Sequence, residues 1–208
     1  FLPVRSSLVT QEHMRPLEGF LVVDFSQFLA GPMAAMRLGD LGARVIKVER
    51  PPSGDIGRGL AFGGITEDGD TLSFHITNRN KESYAANLKD QADRDKVLEL
   101  VKKADVVVQN FRPGVMERLG LGYEELKKVN PTVIYASITG YGAEGPWSSR
   151  PGQDLLAQSL SGLPWLNGSG DSPPIPVGIA LADIITSIHL AHGVTAALLR
   201  RERTGMGG

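Results

Sequence analysis

The chain contains no cysteine, so disulfides, thiolate nucleophiles and Cys-based metal sites are all excluded. The same absence fits a reducing compartment, and the expected location is the cytoplasm, or the mitochondrial matrix in a eukaryote. An excess of charge of either sign is lacking too. With 22 basic and 23 acidic residues, no bulk field draws the protein to nucleic acid or to an anionic membrane. The longest apolar stretches fall far short of a membrane span. No Gly-x-x-x-x-Gly-Lys-Ser/Thr, Gly-x-Ser-x-Gly or His-Glu-x-x-His occurs, which removes the P-loop, the nucleophile elbow and the zincin helix. His189 and His192 lie one turn apart in a helical pattern, where packing or hydrogen bonding is the ordinary role, and no metal is expected.

The 208 residues suffice for one sizeable core. Leu21 to Phe25 reads as a buried strand, Met33 to Leu41 as a helix with Pro32 in its first turn, and Arg44 to Val48 as a second strand, together a βαβ unit. Pro51 to Asp70 reads as a long Gly/Pro/Asp loop, with short strands over Thr71–Phe74 and Tyr84–Leu88. An amphipathic helix over Asp93–Lys103 precedes a strand over Asp105–Gln109. A helix over Tyr123–Val129, a strand over Val133–Ile138, and helices over Leu155–Leu160 and Ile184–Arg201 complete the pattern. Such alternation implies an α/β fold, a parallel sheet with helices on both faces. Residues 1–16 read as a tag, linker or leader, 17–202 as the large domain, and 203–208 as a flexible tail that begins a linker.

In such folds ligands sit at the carboxyl ends of the strands. Glu49 ends the second strand, where a dinucleotide-binding acid would hold a ribose. The first turn, Ser26 to Pro32, lacks Gly-x-Gly-x-x-Gly, so NAD is not expected. What remains at the strand ends is cationic: Arg50, Lys81, Lys89, Arg112 and Arg118 either are solvated surface charges or together hold a phosphorylated ligand. Two acids follow separate loops, Asp154 and Asp183. Asp183 stands where the Pro-rich loop Ser172–Pro176 enters the long apolar helix. It reads either as an N-cap or as a partly desolvated nucleophile or acid/base group.

One set of segments resembles class III (CaiB/BaiF-type) CoA-transferases. Its members are Asp24–Pro32, Gly39–Glu49, Ser53-Gly54-Asp55, Asn78-Arg79-Asn80-Lys81, Asn110–Gly114 with Leu119-Gly120, Thr139–Gly142, and Gly178–Asp183 leading into Arg203-Thr204-Gly205. That family includes formyl-CoA:oxalate and succinyl-CoA:glutarate CoA-transferases and the related alpha-methylacyl-CoA racemases. The resemblance runs from about Leu17 to the end of the chain. It implies a Rossmann-like large domain of a two-domain fold and an interlocked homodimer. It also implies coenzyme A thioesters and small carboxylic acids as substrates, succinyl-CoA being the leading donor. Asp183 would be the nucleophile, passing through an aspartyl mixed anhydride and an aspartyl-CoA thioester, with Asp154 orienting substrate. The family's CoA contacts fall on Phe28, Ala30, Arg50, Lys89, Asn110, Phe111, Arg118 and Leu119. The family's Gly-rich loop would lie beyond Gly208.

Departures from the oxalate-specific pattern occur at Leu29, Leu60, Ser73 and Gln153-Asp154, which makes oxalate a doubtful acceptor. The racemases carry His where this chain has Gln153, and an amide cannot remove an α-proton. A racemase-like enzyme, a CoA-binding homologue without activity and a dehydrogenase domain are the other readings.

Overall fold

The computed structural model describes residues 14–60 and 64–208, so residues 1–13 of the expected leader lie outside it. Five strands form one parallel sheet: β1 (Leu21–Asp24), β2 (Arg44–Glu49), β5 (Lys81–Ala85), β6 (Val106–Gln109) and β7 (Ile134–Ser137), in the order β5-β2-β1-β6-β7. A small antiparallel pair, β3 (Thr66–Glu67) and β4 (Asp70–Thr71), stands apart from it. The helices are α1 (Ala30–Asp40), α2 (Leu72–Asn78), α3 (Gln91–Val101), α4 (Val115–Arg118), α5 (Tyr123–Val129), α6 (Asp154–Leu160), α7 (Leu163–Leu166) and α8 (Leu181–Thr204). A 3-10 turn covers Ile56–Gly59.

The central strands are apolar on both faces because both faces are covered. Along β6, Val106 and Val108 join Val22, Val45 and Ile134 against Ala35 and Leu38 of α1 and Ala191, Val194 and Leu198 of α8. Val107 points the other way, with Val23 and Phe25, into Val97 and Val101 of α3, Met116 of α4 and Leu126 of α5. Successive side chains on a strand face opposite sides, so one run of valines serves two cores. The expected α/β architecture is therefore present.

Two element readings need correction. The residues from Leu72 to Phe74 look strand-like, yet Thr71 caps a helix there: its Oγ1 accepts the Phe74 N–H at 3.2 Å, and α2 continues to Asn78. The fifth strand begins at Lys81 rather than Tyr84, since the polar Lys81 side chain has a buried partner. α1 runs from Ala30 to Asp40, with Pro32 in its first turn as expected. Residues 203–208 are the last turn of α8 followed by a segment hydrogen-bonded to β7. Gly208 N–H donates to Val133 O at 3.0 Å and Tyr135 N–H donates to Gly208 O at 3.0 Å.

Against the expectation from apolar runs, α8 is long and apolar enough to cross a membrane by length and composition. In this fold it packs on α1, α6 and β7 through Ser187, Ala191, Val194 and Leu198, while Ile185, Ile188 and Leu199 stay exposed. Near its end Arg201 donates to Asp105 Oδ1 at 2.7 Å, just before β6. Asp183 is eighteen residues earlier, about 27 Å along the helix, whereas a four-residue strand covers only about 13 Å. The first turn of α8 thus lies at the carboxyl edge of the sheet.

Candidate active site

The carboxyl edge is organised around β1, where the strand order reverses between β1 and β6. Two loops meet there through a reciprocal amide pair. Gln27 N–H donates to Asn110 Oδ1 at 2.8 Å, and Asn110 Nδ2 donates to Gln27 O at 2.7 Å. Gly31 in the first turn of α1 permits the closeness, because a Cβ there would sit 2.3 Å from Ser26 Cβ and 3.4 Å from Asn110 Cγ. Phe28 is held at φ +68°, a left-handed conformation that costs a non-glycine residue about 1 kcal/mol or more. Its N–H donates to Asp55 Oδ1 at 3.1 Å, and its ring is left 49% exposed beside the edge.

A buried ionic network underlies this loop. Asp55 Oδ2 lies 2.7 Å from Lys47 Nζ, which also donates to Ser26 O at 2.7 Å. Asp24, fully buried, accepts from Ser26 and from Lys81 Nζ at 2.9 Å. Burial opposes the Asp24 charge, but Lys81 and Lys47 outweigh it and hold the carboxyl below its usual range. Burial also lowers the Lys81 ammonium, against the pull of Asp24. The Lys81 ammonium uses its remaining protons on Pro32 O and Asn78 Oδ1, both at 2.8 Å. Lys81 is therefore removed from the candidate phosphate ligands, having no proton left for one.

Glu49 is likewise engaged within the fold. It accepts from Arg58 Nε at 2.7 Å, from Asp55 N–H at 2.9 Å and from Ser83 Oγ at 2.8 Å. Burial works against its charge, yet Arg58 and these donors bring the carboxyl down to about 2. It anchors the loop after β2 instead of facing a ribose. Arg58 also bonds Asp70 and covers the Phe74 ring at 3.9 Å, which ties the 3-10 turn and β4 to α2.

The remaining cations are exposed. Arg50 borders an open cleft of about 690 Å³ at the ends of β2 and β5, lined also by Ser53, Gly54, Arg58 and Ser83. Lys89 follows β5, and Arg118 ends α4 with its guanidinium above Gly114, where a Cβ would lie 3.0 Å from Nη1. Arg112 precedes α4. Phe111 and Leu119 pack against the core face of α3 to α5, so ordinary packing accounts for their burial. Among the expected CoA contacts, the structure joins Phe28, Ala30 and Asn110 in one loop cluster. Arg50 and Lys89 lie beyond them on the β2–β5 side, with Arg118 on the β6 side.

The two acids do meet. Asp183 is the third residue of α8, and its N-cap is Ala180, without a side-chain hydrogen bond. The cap comes from outside: Asp154 Oδ1 accepts the Asp183 N–H at 3.0 Å. Asp154 Oδ2 accepts from Gln158 Nε2 at 2.6 Å. Gly140 and Gly152 allow this approach, since a Cβ on Gly140 would lie 2.4 Å from the Gly152 Cα. The strand end after β7 is thereby seated against the start of α6. Burial first, and the Asp154 charge second, push the Asp183 carboxyl up to about 6. The N-cap reading of Asp183 is thus replaced. Asp154 caps the helix, and among the described residues no protein donor reaches the Asp183 carboxyl. His189 and His192 are exposed on α8, and no cluster of three metal-binding side chains occurs among the described residues.

The profile of CoA-transferase family III matches residues 17–208. The chain belongs to CoA-transferase family III. It is 47% identical over 193 residues to an acetyl-CoA:oxalate CoA-transferase from Acetobacter aceti, covering 92% of this chain and 49% of that protein. It is 45% identical over 196 residues to the succinyl-CoA:glutarate CoA-transferase of Mus musculus, covering 94% of this chain and 44% of that one. The crystal structure of a CaiB/BaiF family protein from Brucella suis superposes with a TM-score of 0.88 at 42% identity, over 93% of this chain and 51% of its own. The chain therefore spans about half the length of the curated relatives it matches.

In this family III chain, two of the positions that depart from the oxalate pattern are neighbours: Ser73 Oγ donates to Leu60 O at 3.3 Å. The sequence reading missed Lys47, Asp55, Arg58 and Gln158. For Lys47 the signal was present, a lysine in the apolar run Arg44–Glu49 where burial demands a partner.

Proposed function

We propose that the whole protein transfers coenzyme A between an acyl-CoA and a carboxylic acid, with Asp183 as nucleophile. The observation that carries this is the state of Asp183: a partly buried carboxyl on the first turn of α8, free of protein donors among the described residues and raised to about 6. At pH 7 it is ionised roughly ten to one, yet weakly solvated and basic for a carboxylate. Those properties suit attack on a thioester.

In the first step an Asp183 oxygen bonds to the donor thioester carbon. The C–S bond breaks, CoA thiolate leaves, and a mixed anhydride remains. The thiolate then attacks the aspartyl carbonyl, releasing the donor carboxylate and forming an aspartyl-CoA thioester. The acceptor carboxylate attacks that thioester, expelling thiolate and giving a second anhydride. Thiolate attack on its acceptor carbonyl yields the new acyl-CoA and restores the Asp183 carboxylate. No proton or electron is consumed.

Arg50, Lys89 and Arg118 would bind CoA phosphates, and Phe28, Ala30 and Asn110 would shape the slot, with Phe111 and Leu119 as its packed floor. Asp154 would orient the acceptor while capping α8. Succinyl-CoA as donor and a small dicarboxylate as acceptor follow the mouse relative's name; the Acetobacter relative's name keeps oxalate open despite Leu29, Leu60 and Ser73. A homodimer is proposed as well. Apolar side chains of α7 and α8 stay uncovered within one chain, Trp165 at 74% and Leu166 at 82% exposed among them, with Ile185, Ile188 and Leu199. The racemase reading is set aside because Gln153 has no basic nitrogen.

The test incubates the full-length protein with succinyl-CoA and a panel of carboxylic acids. A new acyl-CoA in the wild type, and none in Asp183→Ala that still binds CoA, supports the reading. Solvent-deuterium exchange at the α-carbon without transfer would replace it.

A further inference from the structure

We propose that Gln158 is a positioning residue for the Asp183 carboxyl, its buried amide locking the Asp154 carboxylate across the first turn of α8. This rests on Asp183 being the nucleophile. Gln158 lies on α6, one turn after Asp154, and is 3% exposed although the flanking Leu155, Leu156 and Leu160 all face solvent. A buried amide is costly unless every group is used. Here every one is. Nε2 donates to Asp154 Oδ2 at 2.6 Å and to Ile179 O at 3.2 Å, while Oε1 accepts the Val177 N–H at 2.9 Å.

These partners lie on the two segments that flank the nucleophile. Val177 and Ile179 belong to the loop that delivers α8, and Asp154 Oδ1 holds the Asp183 N–H. The amide can adopt one orientation only. Flipped, Oε1 would face the Asp154 carboxylate and Nε2 would face the Val177 N–H, opposing like with like twice. Loop, cap and nucleophile are therefore set by one side chain.

Burial is the larger cause of the raised Asp183 carboxyl, and Asp154 is the charge that adds to it. On α6 no other group titrates, and the loop 172–180 carries none. Arg37 and Asp40 lie at the far end of α1, and β7 offers only Tyr135, whose hydroxyl burial and Glu117 push up to about 12. Without the Gln158 donor, Asp154 is free to turn to solvent. Asp183 then loses both its backbone cap and the repulsion that opposes its ionisation.

The experiment titrates the Asp183 side-chain carboxyl by NMR in the full-length protein and follows kcat and KM against pH. In Gln158→Leu, the Asp183 midpoint should fall by about half a unit or more, and kcat should drop about tenfold with KM for acyl-CoA nearly unchanged. In Asp154→Asn, adding Gln158→Leu should move the midpoint no further, because the amide acts through that carboxylate. This double variant leaves no buried charge without its donor, so it keeps the test open if the single variant fails to fold. An unchanged midpoint in folded Gln158→Leu, or a further shift in the double variant, would overturn the proposal. If the midpoints move as expected but Asp183→Ala turns over normally, the nucleophile assignment fails and the positioning role stands.

Discussion

Asp154 Oδ1 accepts the backbone N–H of Asp183 at 3.0 Å, so the acid that caps α8 is also the charge that opposes ionisation of the acid on α8. A capping carboxylate is ordinarily a stabilising device. Here burial and this neighbouring charge together raise the Asp183 carboxyl to about 6, and its oxygens stay clear of protein donors among the described residues. The expected consequence is an acidic limb in kcat/KM near pH 6, activity falling as Asp183 is protonated. Asp154→Asn should move that limb to lower pH, though not to the usual carboxylate value, because burial is the larger cause.

The buried and exposed lysines should separate in their effects. Lys81→Met leaves Asp24 without its nearest cation, and breaking such a pair costs about 3–5 kcal/mol. Urea unfolding should show that loss. Lys89→Ala should leave stability within about 0.5 kcal/mol and weaken CoA binding. Arg50→Ala should weaken binding by about 1.5–3 kcal/mol for each hydrogen bond to phosphate that it removes. Isothermal titration with CoA checks both; an unchanged Kd for Arg50→Ala would leave Arg50 as a surface charge.

Phe28 is held in a left-handed conformation by Asp55. Phe28→Gly should relieve about 1 kcal/mol of backbone strain, offset by a more flexible unfolded chain, and should weaken CoA binding. Asp55→Ala removes the nearest anion of the buried Lys47, leaving it Asp24 at 4.0 Å, and should destabilise the fold by several kcal/mol. Thermal melts beside CoA titrations would distinguish the two outcomes.

Acid should loosen the loop after β2. The Glu49 carboxyl sits at about 2 in the fold and near 4.5 when unpaired. Its contribution is complete above 4.5 and is lost as pH falls toward 2. Glu49→Gln should flatten the stability profile in that window and cost on the order of 2–3 kcal/mol at neutral pH. Urea midpoints measured from about pH 3 to about pH 7 give the comparison.

The layered α/β fold was legible because both-face burial leaves continuous apolar strands such as Val106–Val108, and helix α5 is where its periodicity placed it. Polar side chains that go inside were less legible. Lys81 reads as part of a solvated run, which puts the start of β5 too late and makes its ammonium look like a ligand. Leu72–Phe74 looked like a strand until the Thr71 hydroxyl proved to cap a helix. At the site, Asp183 and Asp154 were found from their loops and from family resemblance. Their hydrogen bond spans 29 positions, a pairing no local pattern encodes. Gln158 left no trace because a glutamine one turn after an acid reads as helix surface.

The most direct test of Asp183 as nucleophile is hydroxylamine trapping during turnover, read by peptide mass mapping of the full-length protein. A hydroxamate on the peptide carrying Asp183, formed only with acyl-CoA present and missing in Asp183→Ala, is the expected result. Undiminished transfer by Asp183→Ala, or an adduct on another carboxylate, would remove Asp183 from the chemistry.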